Sequence, residues 1–277
     1  MKFMMIINDP EIARHVCVIE EVEPFVDLEV MGKAERQGHL ATWKGKQTAQ
    51  DVTRIREAVP SAHLIVRVNP LHDGSAAEIE DVVARGADSV MLPMFRDRET
   101  LERFLDLLGT RARAIPLFET AASVAAIPQI APALGLERLH IGLNDLHLDL
   151  GQDFLFQPLA DGLLETPAAA LRAAGITFGI GGIARAREGI VSPDFLLGEH
   201  VRLGSQAAIL SQTFHRNATT LGELRATMDF AEELRRLHSI HQRFCAMDAD
   251  ELERNRIETR DRINDVVRLL QAKRTKG

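Results

Sequence analysis

Two carboxylates, Glu119 and Asp145, each stand just past a short apolar run, at 112–118 and 138–143, in the stretch RAIPLFETAASVAAI…ERLHIGLNDLHLDLG. Neither has a cysteine or histidine next to it, so the donor set is hard and oxygen-rich. Such a pair suits Mg²⁺ or Mn²⁺ better than zinc or copper. A divalent ion held by two carboxylates keeps positions open for a ligand. A 2-oxo acid chelating it through its carboxylate and ketone oxygens would have its carbonyl polarised, which stabilises an enolate formed by proton loss or carbon–carbon cleavage. Arg67, at the end of LIVRVNP, fits the same scheme, since a guanidinium fork can hold the substrate carboxylate or the enolate oxygen.

Each of these residues also has a plainer reading. Glu119 can be a helix-start carboxylate and Asp145 a turn or cap residue. Arg67 can be half of a structural ion pair with Glu29 or Glu119. Asp149, four residues on, is a rival for Asp145, but Asp145 comes first after the apolar run. Leu143 and Asn144, leading into Asp145, are expected to line the substrate, and His147 either approaches the metal or caps its loop. GIGGIAR, Gly179 to Arg185, offers Gly181 and Gly182 as backbone N–H donors to an anion with Arg185 as charge partner, although glycines also make ordinary tight turns.

Elements of a particular kind must bring these residues together. The steps 67 to 93, 93 to 119 and 119 to 145 are each 26 residues, and each of the four positions ends or follows an apolar run. Regular spacing of this sort predicts successive strand–helix units. In a closed parallel barrel the C-terminal strand ends share one mouth, so Arg67, Glu119 and Asp145 would meet there. The remaining pattern predicts strands at 3–7, 24–29, 63–68, 88–92, 176–181 and 200–204. Helices are predicted after Asn8-Asp9, over 48–58, 75–85, 98–108 and 167–174, and over 205–214. The segment from Val30 to Lys46 is long for such a connection and is either a functional lid or a surface excursion.

The fold expected is therefore α/β, a (β/α)8 TIM barrel over 1–216 with a helical extension over 217–277. In the extension, Leu221, Leu224, Met228, Ala231 and Leu234 form one apolar stripe, and Ile263, Val266, Val267 and Leu270 another. These helices either cover the barrel or, as is favoured here, pack at least in part on a neighbouring subunit.

At 277 residues and 45% hydrophobic content, the chain can bury one large core. A formal net charge of −7 disfavours nucleic acid as a partner. The two cysteines, Cys17 and Cys245, suggest neither a disulfide framework nor a zinc site. With no signal peptide and no apolar run long enough for a membrane span, a reduced, cytoplasmic setting without a membrane partner is expected.

Taken together, DLE at 27–29, RVNP at 67–70, GADSVMLPM at 86–94, LFETAASV at 117–124 and IGLNDLHLDLG at 141–151 resemble the HpcH/HpaI aldolase and citrate lyase β-subunit family over roughly residues 1–214. The resemblance implies a phosphoenolpyruvate/pyruvate-type TIM barrel that makes or breaks a carbon–carbon bond beside a metal-bound oxo acid or acyl thioester. It also implies a trimer or hexamer with exchanged C-terminal helices. By the same resemblance, Glu119 and Asp145 look like the metal ligands, Arg67 like the arginine on the pyruvate oxygens, and Asp27 and Glu29 like the acidic pair ending strand 2. Two positions depart from the aldolase branch. Val30 stands where those enzymes carry a histidine base, and Leu117 where they carry glutamine. His39, in the following loop, is the candidate replacement base. The expected activity is cleavage or formation of a 4-hydroxy-2-oxo acid from pyruvate and an aldehyde. A citrate-lyase-like acyl-CoA lyase and a non-catalytic oxo-acid-binding barrel are the alternatives.

Overall fold

Alternate residues of the short strands fall into two separate apolar clusters, and that separation defines the architecture. Met4, Phe25, Ile65, Met91, Ile115, Leu117 and Ala207 form one cluster, with Ile6 and Ile209 against it. Their neighbours Phe3, Met5, Val26, Val66, Val90, Phe118 and Ala208 belong to a second, larger cluster shared with the helices. A strand shows opposite faces at successive residues, so one face fills a barrel interior while the other packs beneath surrounding helices. The computed structural model describes residues 1–32 and 47–274.

Eight parallel strands close in sequence order: β1 (Lys2–Ile6), β2 (Val22–Asp27), β3 (Ile65–Arg67), β4 (Ser89–Leu92), β5 (Arg113–Phe118), β6 (Arg138–Ile141), β7 (Thr177–Ile183) and β8 (Ala207–Leu210), with β8 paired back to β1. Between them lie α1 (Pro10–Val16), α2 (Ala49–Ala58), α3 (Ser75–Ala84), α4 (Arg98–Leu108), α5 (Ala121–Ala133), α6 (Leu143–Asp149), α7 (Gln157–Ala160), α8 (Glu165–Ala173) and α9 (Pro193–Leu203). Several starts are capped as the sequence suggests: Asp9 accepts from the Ile12 N–H ahead of Pro10, and Thr120 caps α5. No described helix is long and apolar enough to cross a membrane.

The barrel carries eight strands, as expected, but the eighth lies elsewhere. HVRLG ends α9, which Ser192 and Pro193 start and Gly204, at φ +83°, stops. The strand is the buried AAIL of the segment read as a helix. Four apolar residues do not reveal their own period, so the cap and the left-handed glycine were the better signal. Strand 6 also ends early, at Ile141, and Leu143 already begins α6. Asp145 therefore sits in the first turn of a helix, not directly on a strand end.

The extension forms α10 (Leu221–Thr227), α11 (Phe230–Cys245) and α12 (Ala249–Arg274). Phe230, Leu234, Leu237 and Phe244 of α11 are buried, as are Thr259, Ile263 and Val267 of α12. Both helices pack on α9, and α12 also on α7. Much of the predicted apolar surface is thus covered within the chain, whereas Ala231 faces outward.

Close approach requires glycine at one place and leaves it optional at another. A Cβ at Gly179 of β7 would fall on His140 and come within 2.9 Å of the Ala207 carbonyl, whereas one at Gly222, in α10, would meet nothing. Gly179→Ala should therefore cost on the order of 1–3 kcal/mol through overpacking. Gly222→Ala should be neutral or stabilise by up to about 1 kcal/mol, because a helical glycine loses more backbone entropy than alanine. Thermal unfolding of the two variants checks both signs.

Candidate active site

The barrel places Asp27 and Arg67 opposite one another, as register partners on β2 and β3. Arg67 donates from Nε to Asp27 Oδ1 at 2.8 Å and from Nη2 to Asp27 Oδ2 at 2.8 Å, and Glu29 Oε2 lies 3.5 Å from Nε. The arginine's strongest ion pair is thus with Asp27, not with Glu29 or Glu119. Burial opposes the guanidinium charge, but Asp27, Glu29 and Glu119 outweigh it and hold the pKa well above the ordinary value. Nη1 has no hydrogen bond to a described residue, which leaves that edge of the fork for a ligand.

Glu119 follows β5 and is buried. One oxygen, Oε1, accepts the Met94 N–H at 3.1 Å, and Met94 adopts φ +56°, a conformation uncommon for a side chain of that size. Burial, then the charges of Asp145 and Glu29, push the Glu119 carboxyl well above its usual range, with Arg67 and the Met94 N–H acting in the opposite sense. Asp145 is buried in the first turn of α6. Asp149, its rival, is committed elsewhere: it pairs with Arg96 at 2.6 Å and accepts the Ala121 N–H at 2.8 Å.

Asp27, Arg67, Glu119, Leu143, Asn144, Asp145, Gly181 and Gly182 all line one cavity of about 500 Å³ at the C-terminal mouth. Glu29 is buried beside the Arg67 fork but does not line the cavity, and neither does His147, which is buried within α6. Arg185 is a correction. Its Nε donates to the Phe214 carbonyl at 2.7 Å and Nη1 to the Thr227 carbonyl at 3.3 Å, so it ties the barrel end to the extension and does not face an anion between the glycines. A buried guanidinium takes the acceptors nearest to it, and here they are carbonyls of the following loop and of α10. His39 lies outside the described residues.

Other residues of the site had not been expected. Asn69 of RVNP accepts the Val30 and Met31 N–H groups at 2.9 and 3.0 Å and donates to Glu78 at 2.7 Å, which anchors the exit of β2. His140, on β6, lies in the cavity wall with Nε2 3.2 Å from the Gly181 carbonyl, and burial lowers its pKa to about 3. His215 lines the mouth too, with a pKa lowered by burial and then by Arg185. Its signal was concealed by the misplaced eighth strand; with β8 at Ala207–Leu210, residues 211–215 become its exit loop.

The donor set fits a hard divalent cation. Two buried carboxylates repel one another across the site, and Glu29 adds to that repulsion. Among the described residues no three His, Cys, Asp or Glu converge as a closed metal centre. Two protein carboxylates with the remaining positions left to water and substrate are the usual arrangement for Mg²⁺. Glu119 and Asp145 are the residues that would hold it.

Residues 44–178 match the sequence profile of the HpcH/HpaI aldolase/citrate lyase family. That match spans 135 of the 277 residues, just under half of the chain. Solved structures agree on the fold. An HpcH/HpaI aldolase from Desulfitobacterium hafniense DCB-2 is 16% identical, with 75% of this chain and 84% of that one covered at a TM-score of 0.58. An HpcH/HpaI aldolase/citrate lyase family protein from Burkholderia cenocepacia J2315 is 15% identical over 84% and 93%, at 0.58. The citrate lyase β subunit from M. tuberculosis, complexed with oxaloacetate and magnesium, is 17% identical over 81% and 96%, at 0.54. Comparison with curated protein sequences finds no match.

Two outcomes follow for this site. A carboxyl whose folded pKa is raised contributes stability present at low pH and lost as pH rises through the raised value. Glu119→Gln should therefore stabilise the cation-free protein at neutral pH by on the order of 1 kcal/mol or more, while removing any rise in Tm on adding Mg²⁺. Gly142 precedes α6, and a Cβ there would come within 2.8 Å of Glu119 Oε2 and 2.9 Å of its Cβ. Gly142→Ala should displace the carboxylate and weaken Mg²⁺ binding about tenfold or more, read by calorimetric titration.

Proposed function

We propose that this protein is a Mg²⁺- or Mn²⁺-dependent carbon–carbon lyase that cleaves or forms a 4-hydroxy-2-oxo acid from pyruvate and an aldehyde. What supports the reading most is the convergence of two mutually repelling carboxylates, Glu119 and Asp145, with Arg67 in one cavity at the barrel mouth. An oxo acid with a hard cation is also what the M. tuberculosis relative holds.

The cation, bound by Glu119 and Asp145, would supply a Lewis acid toward the ketone oxygen and lower the cost of opposing the two carboxylates. Arg67 receives the substrate carboxylate on its Nη1 edge, while Asp27, taken up by Nε and Nη2, fixes the plane of the fork. Leu117 and Leu143, both buried, limit water at the reacting carbon. A proton must leave the methyl group of pyruvate for synthesis and return to it after cleavage. Val30 has no side chain able to take it. Two imidazoles compete for the role: His39, and His215, which burial keeps neutral at pH 7 and whose Nδ1 has no hydrogen-bond partner among the described residues.

Glu119→Ala or Asp145→Ala should abolish deuterium exchange into the methyl group of pyruvate with little loss of fold, because mouth residues serve the site more than the core. Arg67→Lys should raise the KM for pyruvate about tenfold or more, since lysine cannot reproduce the paired fork. His39→Ala and His215→Ala identify the base by which one lowers exchange by about 10²-fold or more. Full exchange in Glu119→Ala would sink the proposal.

A further inference from the structure

Away from the carboxylates the same cavity changes character. Phe154, Leu155, Phe156, Ile190, Val191 and Leu196 line it together. Phe154 and Phe156 meet edge to face, with centroids 5.5 Å apart, and Ile190 holds its side chain 72% exposed. An aliphatic side chain left that open beside an aromatic pair is an apolar surface that the described residues do not cover.

The charge inventory is one-sided as well. Among the described residues lining the cavity, Arg67 is the only permanent cation, and Asp27, Glu29 and Glu119 already surround it. A second carboxylate or a phosphate at the far end of a substrate would find no arginine or lysine among the described lining residues there, and desolvating it without a partner is costly. A polyhydroxylated chain laid along the 154–156 and 190–196 segments would lose its water to carbon, whereas the hydroxyl and amide groups of Ser211, Gln212 and Thr213 follow β8. At about 500 Å³ the cavity is also far larger than a three-carbon oxo acid requires.

We propose that the second substrate is an aldehyde bearing an uncharged apolar group, aromatic or branched, held against Phe154, Phe156 and Ile190. The inference rests on the aldolase reading above. In the synthetic direction the C3 carbon of the pyruvate enolate attacks the aldehyde carbon. The carbonyl π pair moves onto the aldehyde oxygen, which takes up a proton, and the product is a 4-hydroxy-2-oxo acid with the apolar group on C4. Cleavage reverses each transfer.

The test has two arms on the full-length, Mg²⁺-loaded protein. The first measures deuterium exchange into pyruvate with no aldehyde present. The second measures kcat/KM for aldol formation with benzaldehyde, isobutyraldehyde, glyceraldehyde and succinic semialdehyde. The expected result is exchange, with benzaldehyde or isobutyraldehyde preferred over succinic semialdehyde by about 100-fold or more. Ile190→Arg, at an exposed position that leaves the core intact, should move that ratio toward succinic semialdehyde by about tenfold or more. Exchange together with a preference for succinic semialdehyde or glyceraldehyde overturns this inference and leaves the aldolase reading standing. An unshifted ratio in Ile190→Arg overturns the placement of the acceptor. Absence of both exchange and turnover overturns the two readings together.

Discussion

Arg67 sits in a surplus of negative charge, and most of the C-terminal mouth is arranged around that imbalance. Asp27 holds the guanidinium by two parallel hydrogen bonds, Glu29 lies close by, and Glu119 contributes a third negative field. Asp145 adds a further carboxylate against Glu119. One cation cannot balance four acids. Without a second positive charge the site disfavours the charged form of Glu119, and a hard cation would offset that repulsion. The same imbalance that costs stability would favour a hard ion.

Such a cluster is held in place only by tight backbone packing. Gly142 lets Glu119 lie against the start of α6, and Gly179 admits the buried ring of His140. At Gly181, φ +49° joins a shift in the pairing of β7 with β8, so the wall opens where the cavity needs room. On the opposite side, Asn69 and Glu78 secure the turn after β2 through backbone N–H groups, which is independent of the side chain at position 30. Valine is tolerated there for that reason.

The mouth is divided between a charged half and an apolar half drawn from the segments after β6 and β7. The two halves come from different kinds of information in the chain. Charged residues at or just past strand ends announce themselves by spacing, as Arg67, Glu119 and Asp145 did at multiples of 26 residues. The apolar half consists of ordinary hydrophobic residues in connecting segments, where nothing in the pattern distinguishes a substrate wall from core. Arg185 shows the converse error: a charge beside glycines looked like an anion site, but carbonyls 29 and 42 residues downstream claimed it.

The sequence by itself determined the closed α/β barrel, seven of its eight strands to within a few residues, and the meeting of Glu119, Asp145 and Arg67 at one mouth. These follow from local periodicity and from a repeat length that any parallel barrel must respect. Tertiary structure alone decided that Asp27 is the partner of Arg67, that Asp149 belongs to Arg96, and that His140 and His215 reach the cavity. It also decided that α9 ends where a strand was expected and that α11 and α12 lie on the barrel. Each of these depends on which of several chemically equivalent partners is nearest in space, and distance between residues far apart in the chain is set by closure of the barrel and not by any local pattern.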